Sequence, residues 1–528
     1  ERGDEAAAFE LFGRAFLAAK RVDQAQAAFD RSLAVKPDAA LQGWFTAQVA
    51  AAREQPEQAL AALDKYFQAH RTTHGLEPYQ LLERVLTQLK QQETLLERLA
   101  TLAAADPGNP LLRFFLAEQY RAAGQLERAE PLYAQLAKEK PSLDVYQAQL
   151  DLYRRQRDVG ALLKILAASL AQLRQIELLG EEGQALLADE ALTDEILAAA
   201  VARLAEEPAS FSAAERAGLG SYALSAKRFE PAGKLFESAL KLAPDDERDL
   251  LRRWGLGLLL QERPGEAAAI FRRVPAGETA AAQAQRLYHL SGALELDGQS
   301  DAALEAARTA AELAEAHREP LAEAYYAILG RVPWVLFHAK RYEAAREAYA
   351  AQLARFEKQT DNKLAREAAR EARLMLSNLA AIEENLPQAE EWLEQILDEA
   401  PDDVSAANDL GYIWVDQGKH LERSLRMIQF AVAQAPENGA YRDSLGWAWF
   451  QLGKYDEAIA ELNKALELIE DPDGVILDHL GDALQKAGRP EAALDAWQKA
   501  VAAFEREQET RKAEATRAKI AHAPAANP

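Results

Sequence analysis

The feature that most constrains this fold is a step of 35 residues, repeated in register toward the C-terminal end. Three segments open as NDLGY at Asn408, DSLGW at Asp443 and DHLGD at Asp478. Their first glycines, Gly411, Gly446 and Gly481, stand 35 residues apart, and their second glycines, Gly418, Gly453 and Gly488, keep that step. A small residue follows each turn, at Ser424, Ala458 and Ala493. A unit this short cannot enclose a core alone, so a chain that reuses it must stack one copy on the next.

The same grammar recurs upstream. Phe9, Phe12, Gly13 and Phe16 precede Ala25, Phe29 and Pro37; Tyr120 and Gly124 precede Ala129, Tyr133 and Pro141; Gly220 precedes Ala232, Phe236, Ala239 and Pro244. Trp254 and Gly255 precede Ala267 and Phe271. Small or apolar anchors fall at Ala25, Ala59, Leu95, Ala129, Leu163, Ala232, Ala267, Ala303, Ala345, Ala389, Ser424, Ala458 and Ala493. Leu163 and Ala232 are 69 residues apart, about twice the step, which predicts a worn unit whose second helix carries Ile196 and ends at Pro208. That makes about fourteen units.

Each unit reads as two amphipathic helices, because apolar residues recur three and four apart within each half. The glycine permits a tight turn, the small anchor lets two helix backbones approach, and the closing proline (Pro37, Pro107, Pro141, Pro244, Pro401, Pro436) ends the unit. Asp or Asn after that proline predicts an N-cap for the next helix.

In the Gly-Tyr/Trp pair, the turn glycine, the small anchor, the aromatic one turn later and the terminal proline, the sequence resembles the tetratricopeptide repeat family. The C-terminal LGY, DSLGW and DHLGD stretch is similar to bacterial multi-repeat proteins of that family. The resemblance implies an all-α fold, a right-handed superhelical solenoid of about fourteen helix-turn-helix units. It implies that the first helix of each pair lines a concave groove and that the second lies outside. Expected segments are N-terminal units over 1–141, degenerate units over 142–210 and central units over 211–403. Well-preserved units over 404–504 and a charged capping helix with a frayed tail over 505–528 complete the chain. Within the central segment two steps are stretched, Ala303 to Ala345 by 42 and Ala345 to Ala389 by 44, which predicts lengthened helices.

Such a surface suits a non-catalytic protein–protein interaction scaffold or adaptor that takes a peptide segment or a partner's helix along its groove. The alternative is a structural, self-associating component of a bacterial envelope or export assembly. In the best-preserved units the groove-facing residues are Asn408, Asp409, Tyr412 and Asp416; Asp443, Ser444, Trp447, Phe450 and Gln451; and Asp478, His479 and Asp482. Asn408, Asp443 and Asp478 occupy equivalent places and are expected to form a polar ladder. These acids and aromatics fit a basic partner segment with an apolar anchor. They also fit a purely structural role, since acids near helix starts complement the helix dipole and the rings can pack between units. A carboxylate-gripping clamp fits poorly: after Asn378 the equivalent places are Asp409, Ala440 and Ser444.

Other chemistry finds little support. Asp plus Glu is 84 against 61 Lys plus Arg, a net charge of −23, which disfavours nucleic acid as a partner. There is no cysteine, which removes disulfides and thiolate chemistry. His70 and His74 are four apart but lack a third ligand, so no metal and no cofactor is expected. Gly218 and Gly220, and Gly255 and Gly257, lack a phosphate-loop pattern. Arg154, Arg155 and Arg157, Arg252 and Arg253, and Arg272 and Arg273 are expected to pair with neighbouring Glu. No apolar run approaches the roughly 20 residues of a membrane span. The start at Glu1 without methionine reads as processed or truncated, and the compartment stays open between bacterial cytoplasm and periplasm or envelope.

Overall fold

The computed structural model describes residues 2–69, 75–207, 210–469 and 473–522. His70, His74, Pro208 and the tail 523–528 therefore lie outside the described residues. Among the described residues the chain forms thirty α-helices, three short 3-10 turns and no strand. Apart from the four-residue helix Arg318–Leu321 and the final helix Thr510–His522, the helices follow one another as fourteen pairs. The chain divides into two compact units, Glu1–Arg263 and Pro264–Pro528, with the division falling between helices Glu247–Leu260 and Pro264–Phe271. Among the described residues no single helix is long and apolar enough to cross a membrane.

Every one of the thirteen anchors is buried, eleven of them completely, with Leu95 at 7% and Leu163 at 2%. Ile196 is buried too, on helix Glu190–Glu206, which pairs with the short helix Gly180–Ala188. The physical reason for the small residues is close approach. A Cβ added at Gly446 would stand 2.6 Å from Leu462 Cγ, and one at Gly481 would stand 2.4 Å from Trp497 Cδ1. Gly13 stands in the same way against Phe29, Gly220 against Phe236 and Gly411 against Ile428. The first-helix glycine is thus a socket for the large side chain of the second helix, at the density of a packed interior.

The turns share one backbone conformation but not one residue type. Gly124, Gly298, Gly453 and Gly488 have φ between 72° and 77°, each five residues before its anchor. The same place elsewhere holds Lys20, Glu54, Lys90, Lys227, Glu262, Lys340 and Glu384, with φ between 56° and 59°. At Gly453 the turn is closed by its own N–H donating to the Phe450 carbonyl and by the Lys454 N–H donating to the Trp449 carbonyl, each at 2.9 Å. After the closing prolines Asp38, Asn109, Ser142, Asp403 and Asn438 cap the next helix through their side chains. Pro244 departs from this: Pro244–Asp246 forms a 3-10 turn, and Asp246 makes no side-chain cap.

In the second unit helix Ser300–Ala316 runs 17 residues and Lys363–Ile382 runs 20. Helix Pro490–Arg506 also runs 17 residues before the chain turns at Gln508, φ 61°, into Thr510–His522. The cap is thus a helix of its own, and it buries Ala513 and Thr516 against the last pair.

Candidate functional site

The site builds from helix Gly439–Gln451. Leu445, Gly446 and Ala448 are buried, and so are Asp443 at 8% and Trp447 at 9%; with the half-buried Phe450 these last two stand on one flank at helical spacing. The Trp447 ring stacks on Phe450 at 4.6 Å between centroids and on His479, from the next first helix Gly474–Lys486, at 4.1 Å. His479 Nδ1 lies 2.9 Å from Asp443 Oδ1. Trp447 Nε1 donates to Asp416 Oδ1 at 3.2 Å, from the preceding first helix Val404–Asp416, and the Tyr412 ring lies 6.4 Å from His479. Tyr412, Asp416, Asp443, Trp447, Phe450 and His479 therefore form one cluster across three consecutive first helices.

The other candidates are placed differently. Ser444 is buried and donates to the Ala440 carbonyl of its own helix at 3.1 Å. Gln451 is half-buried at the helix end. Asn408 is buried; its Nδ2 donates to Asp409 Oδ1 at 3.1 Å, and its Oδ1 has no partner. Asp478 accepts from Thr516 Oγ1 at 2.9 Å, and Asp482 accepts from Trp497 Nε1 at 3.1 Å. Asn408, Asp443 and Asp478 do not bond one another; each bonds a neighbour of its own, Asp409, His479 and Thr516 respectively.

Sequence reasoning missed Lys519. Its ammonium donates to Asp478 Oδ2 and to Asp482 Oδ2, both at 2.7 Å. The available signal was the spacing Ala513, Thr516, Lys519, three apart on one face of a helix otherwise dominated by charge.

Electrostatics follow burial first. Burial works against a charge on His479, but the Asp443 carboxylate, with Asp478 and Asp482 behind it, outweighs that and holds the imidazole above its ordinary value. Burial pushes the Asp409 carboxyl up, only partly offset by the bond from Asn408, and Asp403 adds to the rise. Burial likewise raises Asp482 despite Lys519. The Tyr412 hydroxyl is raised by burial and then by Asp443, Asp416 and Asp473. The cluster thus sets stacked rings beside the Asp416 and Asp443 carboxylates. Among the described residues no group of three or more His, Asp or Glu is placed to hold a metal ion.

Residues 408–475 match the family model described as tetratricopeptide repeat. No curated protein matches the chain by sequence. Among solved structures, a chain of the APC/C hetero-tetramer Cut9-Hcn1 is similar at 13% identity, covering 97% of this chain and 96% of its own, with a TM-score of 0.39. A tetratricopeptide repeat protein from Parabacteroides merdae is 17% identical over 51% of this chain and 99% of its own, TM-score 0.37. A MamA structure is 24% identical over 35% of this chain and 98% of its own, TM-score 0.25.

Proposed function

From a chain that belongs with the tetratricopeptide repeat proteins, matched as such over residues 408–475, we propose a non-catalytic adaptor that binds a basic segment of a partner protein along the first helices of its C-terminal repeats. Repeats of this family serve in general as protein–protein interaction scaffolds. The observation that carries this proposal is Lys519: the chain's own ammonium lies on Asp478 and Asp482 of the last first helix. On the first helix before it, Asp443 is met by His479. One first helix earlier, Asn408 stands at the place of Asp443 and Asp478, and the acids there are Asp409 and Asp416, which accept only from Asn408 and Trp447, with no cation paired to either among the described residues. A partner's lysine or arginine beside Asp409 and Asp416, with an apolar side chain against Tyr412 and Phe450, supplies there what Lys519 supplies one end further on.

The test is fluorescence anisotropy of a lysine-rich peptide carrying one aromatic residue. Asp409→Lys is expected to weaken binding by about tenfold or more with circular dichroism unchanged, and the pair Trp447→Ala, Asp443→Lys, at two buried positions, to do the same where it folds. Equal binding by folded variants would remove this face from consideration.

Self-association, the second reading, is favoured by one observation. Leu11 and Phe12 on the first helix are 66% and 53% exposed, an apolar pair of the kind that marks contact surfaces. Sedimentation of wild type against Leu11→Glu, Phe12→Glu distinguishes it: a concentration-dependent oligomer lost in the variant supports this reading, and a monomer throughout removes it.

A further inference from the structure

The arginine clusters of Glu1–Arg263 are of two kinds. Arg154 pairs with Glu182 at 3.0 Å and Asp151 at 3.4 Å, Arg155 with Asp151 at 2.7 Å, and Arg157 with Asp189 and Glu195 at 3.5 Å. Arg252 pairs with Asp249 at 2.6 Å. Arg154 and Arg157 thus meet a glutamate as expected, whereas Arg155 and Arg252 meet an aspartate instead. Arg253 meets neither. Its Nε donates to Ser221 Oγ at 2.8 Å and a terminal nitrogen donates to the Arg174 carbonyl at 2.7 Å, both neutral acceptors, and no carboxylate among the described residues forms an ion pair with it. Burial, joined by the like charge of Arg174, pulls this guanidinium down to about 10 against the pull of Asp249. A half-buried cation with no carboxylate in contact is costly until an anion joins it.

Arg253 lines a cavity of about 430 Å³ together with Arg174 and Arg252. The apolar wall is Leu224, Leu256 and Leu260, the last 78% exposed at the rim. The nearby carboxylates are Asp249, engaged by Arg174 at 3.3 Å and Arg252 at 2.6 Å, and Glu177, which accepts from Ser225 Oγ at 3.0 Å. Three guanidiniums against two carboxylates leave one positive charge, within a chain of net charge −23. The geometry is held by backbone: Arg174 adopts φ 66° at the end of helix Val159–Leu173 and turns its carbonyl to Arg253. Gly257 brings helix Glu247–Leu260 against Leu224, where an added Cβ would meet Leu224 Cδ1 at 2.5 Å.

We propose that this cavity binds an acidic peptide segment of a partner protein, with one side-chain carboxylate paired to Arg253 and an adjacent leucine-sized side chain on Leu256 and Leu260. A guanidinium fork matches a carboxylate in plane and in charge, and the exposed leucine gives the neighbouring residue its contact. The site lies in the other unit from the acidic face and takes the opposite charge, so either stands without the other.

The experiment is fluorescence anisotropy on the full chain with labelled Gly/Ser peptides containing Glu-Leu, Gln-Leu, Glu-Ser or phosphoserine-Leu. The Glu-Leu peptide is expected to bind with a Kd below about 1 mM, and Gln-Leu and Glu-Ser about tenfold more weakly or worse. Arg253→Gln is expected to weaken Glu-Leu binding about tenfold. Leu260→Glu, an exposed change that leaves the core untouched, is expected to do the same and keeps the test valid should Arg253→Gln misfold. Equal binding of Glu-Leu and Gln-Leu, no binding of Glu-Leu, binding confined to phosphoserine-Leu, or full binding by folded Leu260→Glu would each overturn the proposal.

Discussion

At Gly446 a methyl group would sit 2.6 Å from Leu462 Cγ and 3.2 Å from the Ala458 carbonyl, so Gly446→Ala forces two helices apart. We expect a loss of about 1–3 kcal/mol, read as a lower denaturant midpoint with an unchanged m-value. The turn residues behave in the opposite sense. Lys227 holds φ 56°, a conformation that costs a side-chain-bearing residue roughly 1 kcal/mol, so Lys227→Gly is expected to raise stability by up to about that amount and Gly453→Ala to lower it. The socket glycines were legible because 411, 446 and 481 recur in step, whereas the lysine and glutamate turns were not: no residue type marks them, only the backbone. His479 adds a pH dependence. The folded state holds its proton more tightly than the unfolded chain, so the contribution of the Asp443 pair is full below the ordinary histidine value of 6.5 and is lost as pH rises through the folded value. Denaturation midpoints followed upward from pH 6 should fall more steeply for wild type than for His479→Gln; parallel curves would show that the pair does not titrate in this window.

Among the elements, the final helix Thr510–His522 departs furthest from its composition. It reads as solvated charge, and its exposed faces are that, yet Ala513 and Thr516 are buried and Lys519 bridges two carboxylates of the last first helix. Lys519→Ala removes two charge-assisted hydrogen bonds that are partly screened by solvent, and about 1–2 kcal/mol is expected to go with them. The same change frees Asp478 and Asp482, so a basic peptide should bind Lys519→Ala more tightly than wild type; weaker binding with the fold intact would show that the helix itself forms part of the ligand surface. The pair Gly180–Ala188 and Glu190–Glu206 illustrates the other limit of reading by pattern. Its first helix has nine residues, too few for a full apolar stripe to repeat, and only the doubled spacing around Ile196 betrayed it.

Across the whole molecule the fold was legible because each helix pair solves the same local problem, burying one greasy face on the next pair, and that problem leaves a periodic trace along both units. The proposed ligand faces were less so, since they depend on which side chain from one pair meets which from the next. Asp443 with His479, Trp447 with Asp416, and Lys519 with Asp478 and Asp482 are contacts 31 to 41 residues apart in sequence. Arg253 differs from Arg252 only in what the folded chain places around it. If the first helices of the C-terminal repeats form the proposed ligand face, hydrogen exchange of the full chain with and without a saturating lysine-rich, aromatic-bearing peptide will register it there. Slowed exchange in Val404–Asp416 and Gly439–Gln451, with Leu421–Gln434 and Tyr455–Glu467 unchanged, is the predicted result. Protection confined to those second helices, or none at all, would contradict it.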